Sequence, residues 1–259
     1  MNLMNNRRLA IQAGVLSLAG HSPWPTLAAA GTQDFYPPVQ PRPLVFPRDY
    51  GAHPDFRTEW WYLTGWLWKG KEALGFQLTF FRSRTQHPPN NPSRLAPKQL
   101  LFAHVAITKA HQNVFLNANR AARLGSALLR AETADTDLQF EDWKLRRVQA
   151  EGEEIYEGNF SDPGFSLSFK ATASRPPLLR GRAGYSQKGS QAQQASYYYS
   201  RAPLNVTAQV QVGSQADTMR GQAWLDHEWS SQLLMPGAVG WDWIGINLLD
   251  GGTLMAFQI

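Results

Sequence analysis

From Glu59 onward apolar and polar residues alternate with a period of two, in short runs separated by Gly, Pro, Asn and Asp, and that pattern restricts the chain to an all-β fold. Over residues 165–172 the apolar face is Phe165, Leu167 and Phe169, with Ser166, Ser168 and Lys170 opposite. The same reading predicts strands over 59–68, 73–82, 100–108 and 205–212. It predicts one helix, over 117–130, where Ala, Leu and Arg dominate. Two long loops are expected: 85–98, with four Pro and two Asn, and a Gln/Ser/Gly-rich stretch at 186–195 that is expected to be disordered.

Across 259 residues only 17% are charged and 12% are aromatic, the composition of a folded chain with large buried rings. The absence of cysteine excludes disulfides, thiolate catalysis and Cys-type zinc sites. The net charge of +5 is spread along the chain, with short pairs such as Arg146–Arg147 and Arg180/Arg182 but no helix-spaced stripe, so nucleic acid is not an expected partner. Arg7 and Arg8 precede an apolar run over 9–20, and small residues follow at 28–30. That order predicts an export signal over 1–30, by either the general or the twin-arginine route, and a periplasmic or secreted protein.

A Pro-rich lead-in is expected over 31–48, extended and wrapped on the body. A weak repeat relates Trp61-Tyr62-Leu63-Thr64-Gly65 and its following strand to Trp243-Ile244-Gly245 and the strand from Thr253. The expected organisation is a β-barrel over 49–202 and the start of a second over 203–259. Alternation still runs at Ile259, so the second unit is expected to be truncated.

The chemistry concentrates in GQAWLDHEWSSQLLMPGAVGWDWIGIN, from Gly221 to Asn247. In a strand there, Ala223, Leu225, His227 and Trp229 share one face, and Trp224, Asp226 and Glu228 the other. His227 is the candidate acid/base in an apolar pocket, while Asp226 and Glu228 are expected to face solvent or tie down a loop. Asp242 is the polar member of the row Ile244, Ile246 and Leu248, and is expected to be a buried carboxylate partnered by His227, Arg220 or a backbone turn. Earlier in the chain, Arg57 and Glu59 are expected to pair with each other or with a loop. His104 lies among Leu100, Phe102 and Ala106 and is a candidate pocket residue. Ligand-metal spacings, P-loops and nucleophile elbows are absent, so no metal or cofactor is expected.

Four motifs in order, HPDFRTEWWYLTGWL, LFAHVAIT, AWLDHEWSS and GWDWIGINLLDGGTLMAFQ, resemble the lipocalin-like carotenoid 1,2-hydratase family, also called AttH-like. The resemblance implies tandem lipocalin-like barrels and water addition to an acyclic isoprenoid alkene by protonation and carbocation capture, without a redox cofactor. The family's His-x-Trp pair falls on His227 and Trp229. Its later Tyr-x-Asp pair has no counterpart in GGTLMAFQI. The combined expectation is an exported all-β protein, a hydratase- or hydrolase-like enzyme acting on a hydrophobic isoprenoid or lipid-like molecule. His227 and Asp242 are the expected catalytic residues, and Trp229, Trp241, Trp243, Trp61, Tyr62 and His104 the expected ligand contacts. A noncatalytic carrier, or a module for an envelope or transporter partner, are the alternatives.

Overall fold

The computed structural model describes residues 36–259 apart from 89, 94, 95, 233 and 236, with the side chain at 110 also left aside. The expected export signal lies outside the described residues. The described residues form fifteen strands: β1 (Thr58–Lys69), β2 (Glu72–Arg84), β3 (Gln99–Lys109), β4 (Val114–Arg123), β5 (Leu129–Ala131), β6 (Asp137–Phe140), β7 (Trp143–Ala150) and β8 (Glu153–Asp162). They continue with β9 (Phe165–Ala173), β10 (Leu178–Leu179), β11 (Tyr185–Gln187), β12 (Ala195–Val212), β13 (Gln215–Gln232), β14 (Asp242–Asn247) and β15 (Thr253–Gln258). Among the described residues the helices are two single 3-10 turns, Arg48–Tyr50 and Ala110–Gln112.

Thirteen strands form one antiparallel sheet in the order β4-β3-β2-β1-β13-β12-β9-β8-β7-β6-β5, with β10 and β11 also paired to β12. The sheet curls into a half-barrel around one core. Leu116 and Ala118 near one edge and Leu129 and Ala131 at the other pack on the same cluster as Leu63, Leu78, Trp143 and Leu167. Arg120 of β4 reaches across, donating to the Phe140 carbonyl at 3.1 Å and lying 4.2 Å over the Trp143 ring. The expected helix over 117–130 is therefore β4, a turn and β5. Its alternation of half-buried Leu116, Ala118 and Ala122 with exposed Asn117, Asn119 and Ala121 has the period of a strand, and tertiary packing overrides the helix propensity of Ala, Leu and Arg.

The boundary expected at residues 202 and 203 falls inside β12, which pairs with β13 along its length and with β9 beyond Leu204. β12 and β13 thus complete the first sheet, and β14 and β15 alone form a separate two-stranded hairpin. Both members of the sequence repeat are antiparallel hairpins. The second expected loop is also ordered by contacts: Gln194 is buried, and Lys188 forms an ion pair with Glu228 at 3.0 Å while lying over the rings of Tyr198 and Phe257.

The Pro-rich segment from Tyr36 runs along the body: Val39 is buried, Tyr197 donates its hydroxyl to the Gln40 carbonyl at 2.7 Å, and Arg42 lies 4.4 Å over the Tyr197 ring. Where β1 meets β13 two glycines let the backbones approach closely. A Cβ on Gly221 would overlap the Trp66 carbonyl, and one on Gly65 would overlap the Gln222 carbonyl. Gly221→Ala is expected to destabilise the protein by about 2 kcal/mol or more, because backbone cannot yield as a flexible side chain can. An unchanged urea midpoint would show that the strands can separate there without cost.

Candidate functional site

Strand register gathers two polar clusters on opposite faces of the same three strands. Across β1, β13 and β12, Trp61 lies opposite His227 and His227 opposite Tyr199 on the inner face. One residue along, Tyr62 lies opposite Asp226 and Asp226 opposite Ser200 on the outer face. The alternation within DHEW therefore sends His227 and Trp229 inward, and Asp226 and Glu228 outward.

The inner cluster is centred on Glu59, which is fully buried. Its Oε1 accepts from the two histidine rings, at 2.8 Å from His53 Nδ1 and 2.9 Å from His227 Nε2. Its Oε2 accepts from Arg82 Nε at 2.9 Å and from the His53 backbone N–H at 2.8 Å. Glu59 thus pairs with Arg82 of β2 and with the 53–56 turn, not with Arg57. Arg82 also donates to the carbonyls of His53 and Phe56, so it clamps that turn to the sheet. His53 Nε2 lies 3.2 Å from Asp49, whose carboxylate also binds Arg42, Arg48 and the Val45 N–H. His227 Nδ1 lies 3.0 Å from the Tyr199 hydroxyl. Trp229 stacks on His53 at 3.7 Å, and Trp61 on His227 at 4.4 Å.

Burial works against ionisation of Glu59 and Asp49, yet their cationic and hydrogen-bonding partners hold both well below the usual carboxylate range. Burial likewise opposes protonation of His53, but Glu59 and Asp49 raise its pKa. For His227 burial prevails over the Glu59 hydrogen bond and lowers the pKa to about 4, so the ring is neutral near pH 7. His53, Glu59 and His227 offer three donor atoms within 4.8 Å of one another, the geometry a metal ion could use. Arg82 already supplies a positive charge at the carboxylate, and each ring nitrogen already has a hydrogen-bond partner. We therefore read the cluster as a closed ionic lock that fastens the lead-in to the sheet.

The outer cluster is centred on Asp226, also buried. It accepts from Ser200 Oγ at 2.5 Å and from the Trp224 indole N–H at 2.7 Å, with the Tyr198 hydroxyl a further donor. Burial dominates those hydrogen bonds and raises its pKa to about 6. Aromatic rings surround it: Trp243 donates its indole N–H to Tyr198 at 3.2 Å and meets Trp224 and Tyr62 edge-on, at 5.8 and 5.9 Å between centroids. The same outer row continues through Thr79 to His104, and Gln77 touches both the Tyr62 hydroxyl and His104 Nδ1. Glu228 accepts from Ser196 and Lys188 two residues away.

The residues singled out in the sequence therefore divide. Tyr62, His104 and Trp243 share the outer face with Asp226. His227, Trp61 and Trp229 lie inside with both ring nitrogens of His227 engaged. Asp242 is exposed instead of buried, because its row, Ile244 and Ile246, is the outward face of the β14–β15 hairpin; Trp241 is 53% exposed. Asp226 and Glu228, expected to face solvent, are buried, with Arg180 and Trp243 against Trp224 beside Asp226 and Lys188 on Glu228, although Glu228 does tie down the 188–194 loop. His53 and Arg82 gave no local signal, since each acquires its meaning only from Glu59. Grooves of about 480 and 170 Å3, the first lined by Lys144, Phe169 and Gln209 among others and the second by Lys71, Leu74 and Met219 among others, lie away from both clusters.

The family model described as AttH-like matches residues 37–259. Among solved structures, a Nitrosomonas europaea protein assigned to AttH is 44% identical at a TM-score of 0.76, the match covering 86% of this chain and 66% of that one. The chain thus spans just under two thirds of that protein's length. Kievitone hydratase from Nectria haematococca is 9% identical at a TM-score of 0.58, over 85% of this chain and 72% of that one, a likeness of fold alone. No functionally curated protein matches the chain.

Glu59→Gln is expected to cost about 3–5 kcal/mol, since it leaves the Arg82 charge buried without its partner. Denaturation showing a loss below about 1 kcal/mol would mean the lock carries little of the fold's stability. The clusters also respond oppositely to acid. His227, depressed in the fold, contributes stability that is lost as pH falls from about 6.5 to about 4. Asp226, raised in the fold, favours folding below its unfolded value of 3.8 and loses that contribution as pH rises through about 6. Asp226→Asn should therefore lose stability on going from pH 7 to pH 4, relative to the unsubstituted protein, by on the order of 2 kcal/mol. Parallel stability profiles for the two proteins across that range would contradict the raised pKa.

Proposed function

The chain belongs to the AttH-like family, and from that premise we propose that it is a hydratase-type enzyme that adds water to a carbon–carbon double bond of an apolar, isoprenoid or lipid-like molecule in the cell envelope. The observation that carries this reading is the Asp226 carboxyl: buried, raised to about 6, and set among Trp224, Trp243, Tyr198 and Tyr62. A carboxyl with a pKa close to neutral can exist as either acid or base at working pH, the requirement for general acid–base catalysis.

In the proposed reaction Asp226 gives its proton to one alkene carbon. The positive charge that develops on the other carbon is stabilised by the π-faces of the surrounding rings. A water molecule attacks that carbon, and the proton it then sheds returns to Asp226, so the net change is alkene plus water to alcohol. Ser200 and the Trp224 indole orient the carboxyl through the hydrogen bonds they donate. This assigns proton transfer to Asp226 and gives His227 a place in the inner lock. The 9% identical kievitone hydratase lends its fold and a precedent for hydration on it. The predicted Arg7–Arg8 export signal supports the envelope location.

The test is turnover of acyclic isoprenoid and unsaturated lipid alkenes in heavy-oxygen water, read by mass spectrometry. Incorporation into an alcohol should fall at least about 100-fold in Asp226→Asn, and the rate of the unsubstituted enzyme should decline as pH rises above about 6, where the acid form is lost. Binding of such a molecule without turnover, indifferent to Asp226→Asn, would identify a carrier instead.

A further inference from the structure

Arg180 is a cation on the outer cluster whose charge nothing in the mechanism above uses. Its Nε donates to Ser200 Oγ at 2.8 Å, and the same hydroxyl donates to Asp226. Its guanidinium carbon lies 5.1 Å from the Trp224 ring centroid. Its Nη2 is shielded from solvent and has no hydrogen-bond partner. A shielded guanidinium N–H without an acceptor is costly, and a ligand oxygen in that place removes the cost.

The backbone holds Arg180 firmly. Its N–H donates to the Tyr198 carbonyl at 3.0 Å, and its carbonyl accepts from Gly184 at 3.0 Å. Between them Gly181, Ala183 and Gly184 all have positive φ, at 61°, 51° and 97°. For Ala183 that conformation carries strain, the kind that surrounding structure retains where a side chain must be presented in one place. The turn puts the guanidinium and the Asp226 carboxyl on either side of one serine hydroxyl, beside one tryptophan.

We propose that Arg180 is the head-group subsite of this face, so that the molecule bound is an amphiphilic carboxylate: its carboxylate pairs with the Arg180 guanidinium and its apolar chain lies along Trp224, Trp243 and Tyr62. Arg suits this role because its planar fork matches a carboxylate edge to edge. The proposal rests on the outer face being the binding site and adds to the hydratase reading a substrate class, an unsaturated acid in place of a neutral hydrocarbon. It also couples binding to chemistry. An anion held one serine away from Asp226 raises the carboxyl's pKa further and keeps the proton donor charged with its proton.

Decanoate and decanol, equal in chain length and different in head group, are the probes, measured by titration calorimetry at pH 7.5. Decanoate should bind tighter than decanol by about tenfold or more. Arg180→Gln should bring decanoate down to the level of decanol while leaving decanol unchanged, and Arg180→Lys should keep part of the preference. Circular dichroism establishes that each variant is folded. Equal affinities in the unsubstituted protein, a preference that survives Arg180→Gln, or no decanoate binding at all would each overturn the subsite. Asp226→Asn separates the two readings: it should retain the decanoate preference. A preference present in a protein that hydrates no alkene leaves the subsite standing and removes the hydratase.

Discussion

The buried carboxylate of Glu59 is the interaction on which the rest of this structure depends. Four elements meet at it: β1, which carries it; β2, through Arg82; β13, through His227; and the turn after the lead-in, through His53. A carboxylate at that depth is tolerable only because every lone-pair direction is answered and because Arg82 brings a compensating charge. Asp49 repeats the arrangement one layer out, with Arg42 and Arg48 in the role of Arg82. The outcome is a polar end to an otherwise apolar half-barrel, extended by Glu154 with Arg147 and Arg201.

On the proposed reading, chemistry falls to the opposite face of the same strands. β13 is buried on both sides over Ala223–Trp229, against the barrel interior on one and against Arg180, Lys188 and Trp243 of the β14–β15 hairpin on the other. Its inward histidine, His227, is held neutral near pH 7 with both ring nitrogens engaged. Its outward carboxyl, Asp226, is desolvated without a paired cation, and its pKa moves toward neutrality for that reason. Two acidic residues on neighbouring strands, Glu59 and Asp226, thus acquire opposite properties from their surroundings: one is held ionised, the other is poised to exchange a proton.

Much of the fold was legible in the residues. Five strands predicted from two-residue alternation lie within β1, β2, β3, β9 and β12, and the inward placing of His227 beside Trp229 follows from the same period. The helix over 117–130 was misread because side-chain propensity there is helical while burial alternates. Residues 202 and 203 lie within one strand of 18 residues, which pairs with β10 and β11 at one end and β9 at the other and so resembles two strands when read locally. The apolar neighbours of Asp242 suggest a buried row, yet they form the exposed side of a two-stranded hairpin.

The sequence by itself determined the all-β class, the strand periods, the exclusion of cysteine chemistry and, through four ordered motifs, the family resemblance. These are local properties, written in residue type and spacing. Only the tertiary structure decided that both faces of β13 are buried, and which distant residues, His53, Arg82, Ser200 and Arg180, complete each cluster. Register between strands far apart in the chain sets those partners, and burial, which no single segment encodes, sets whether a carboxyl keeps or releases its proton.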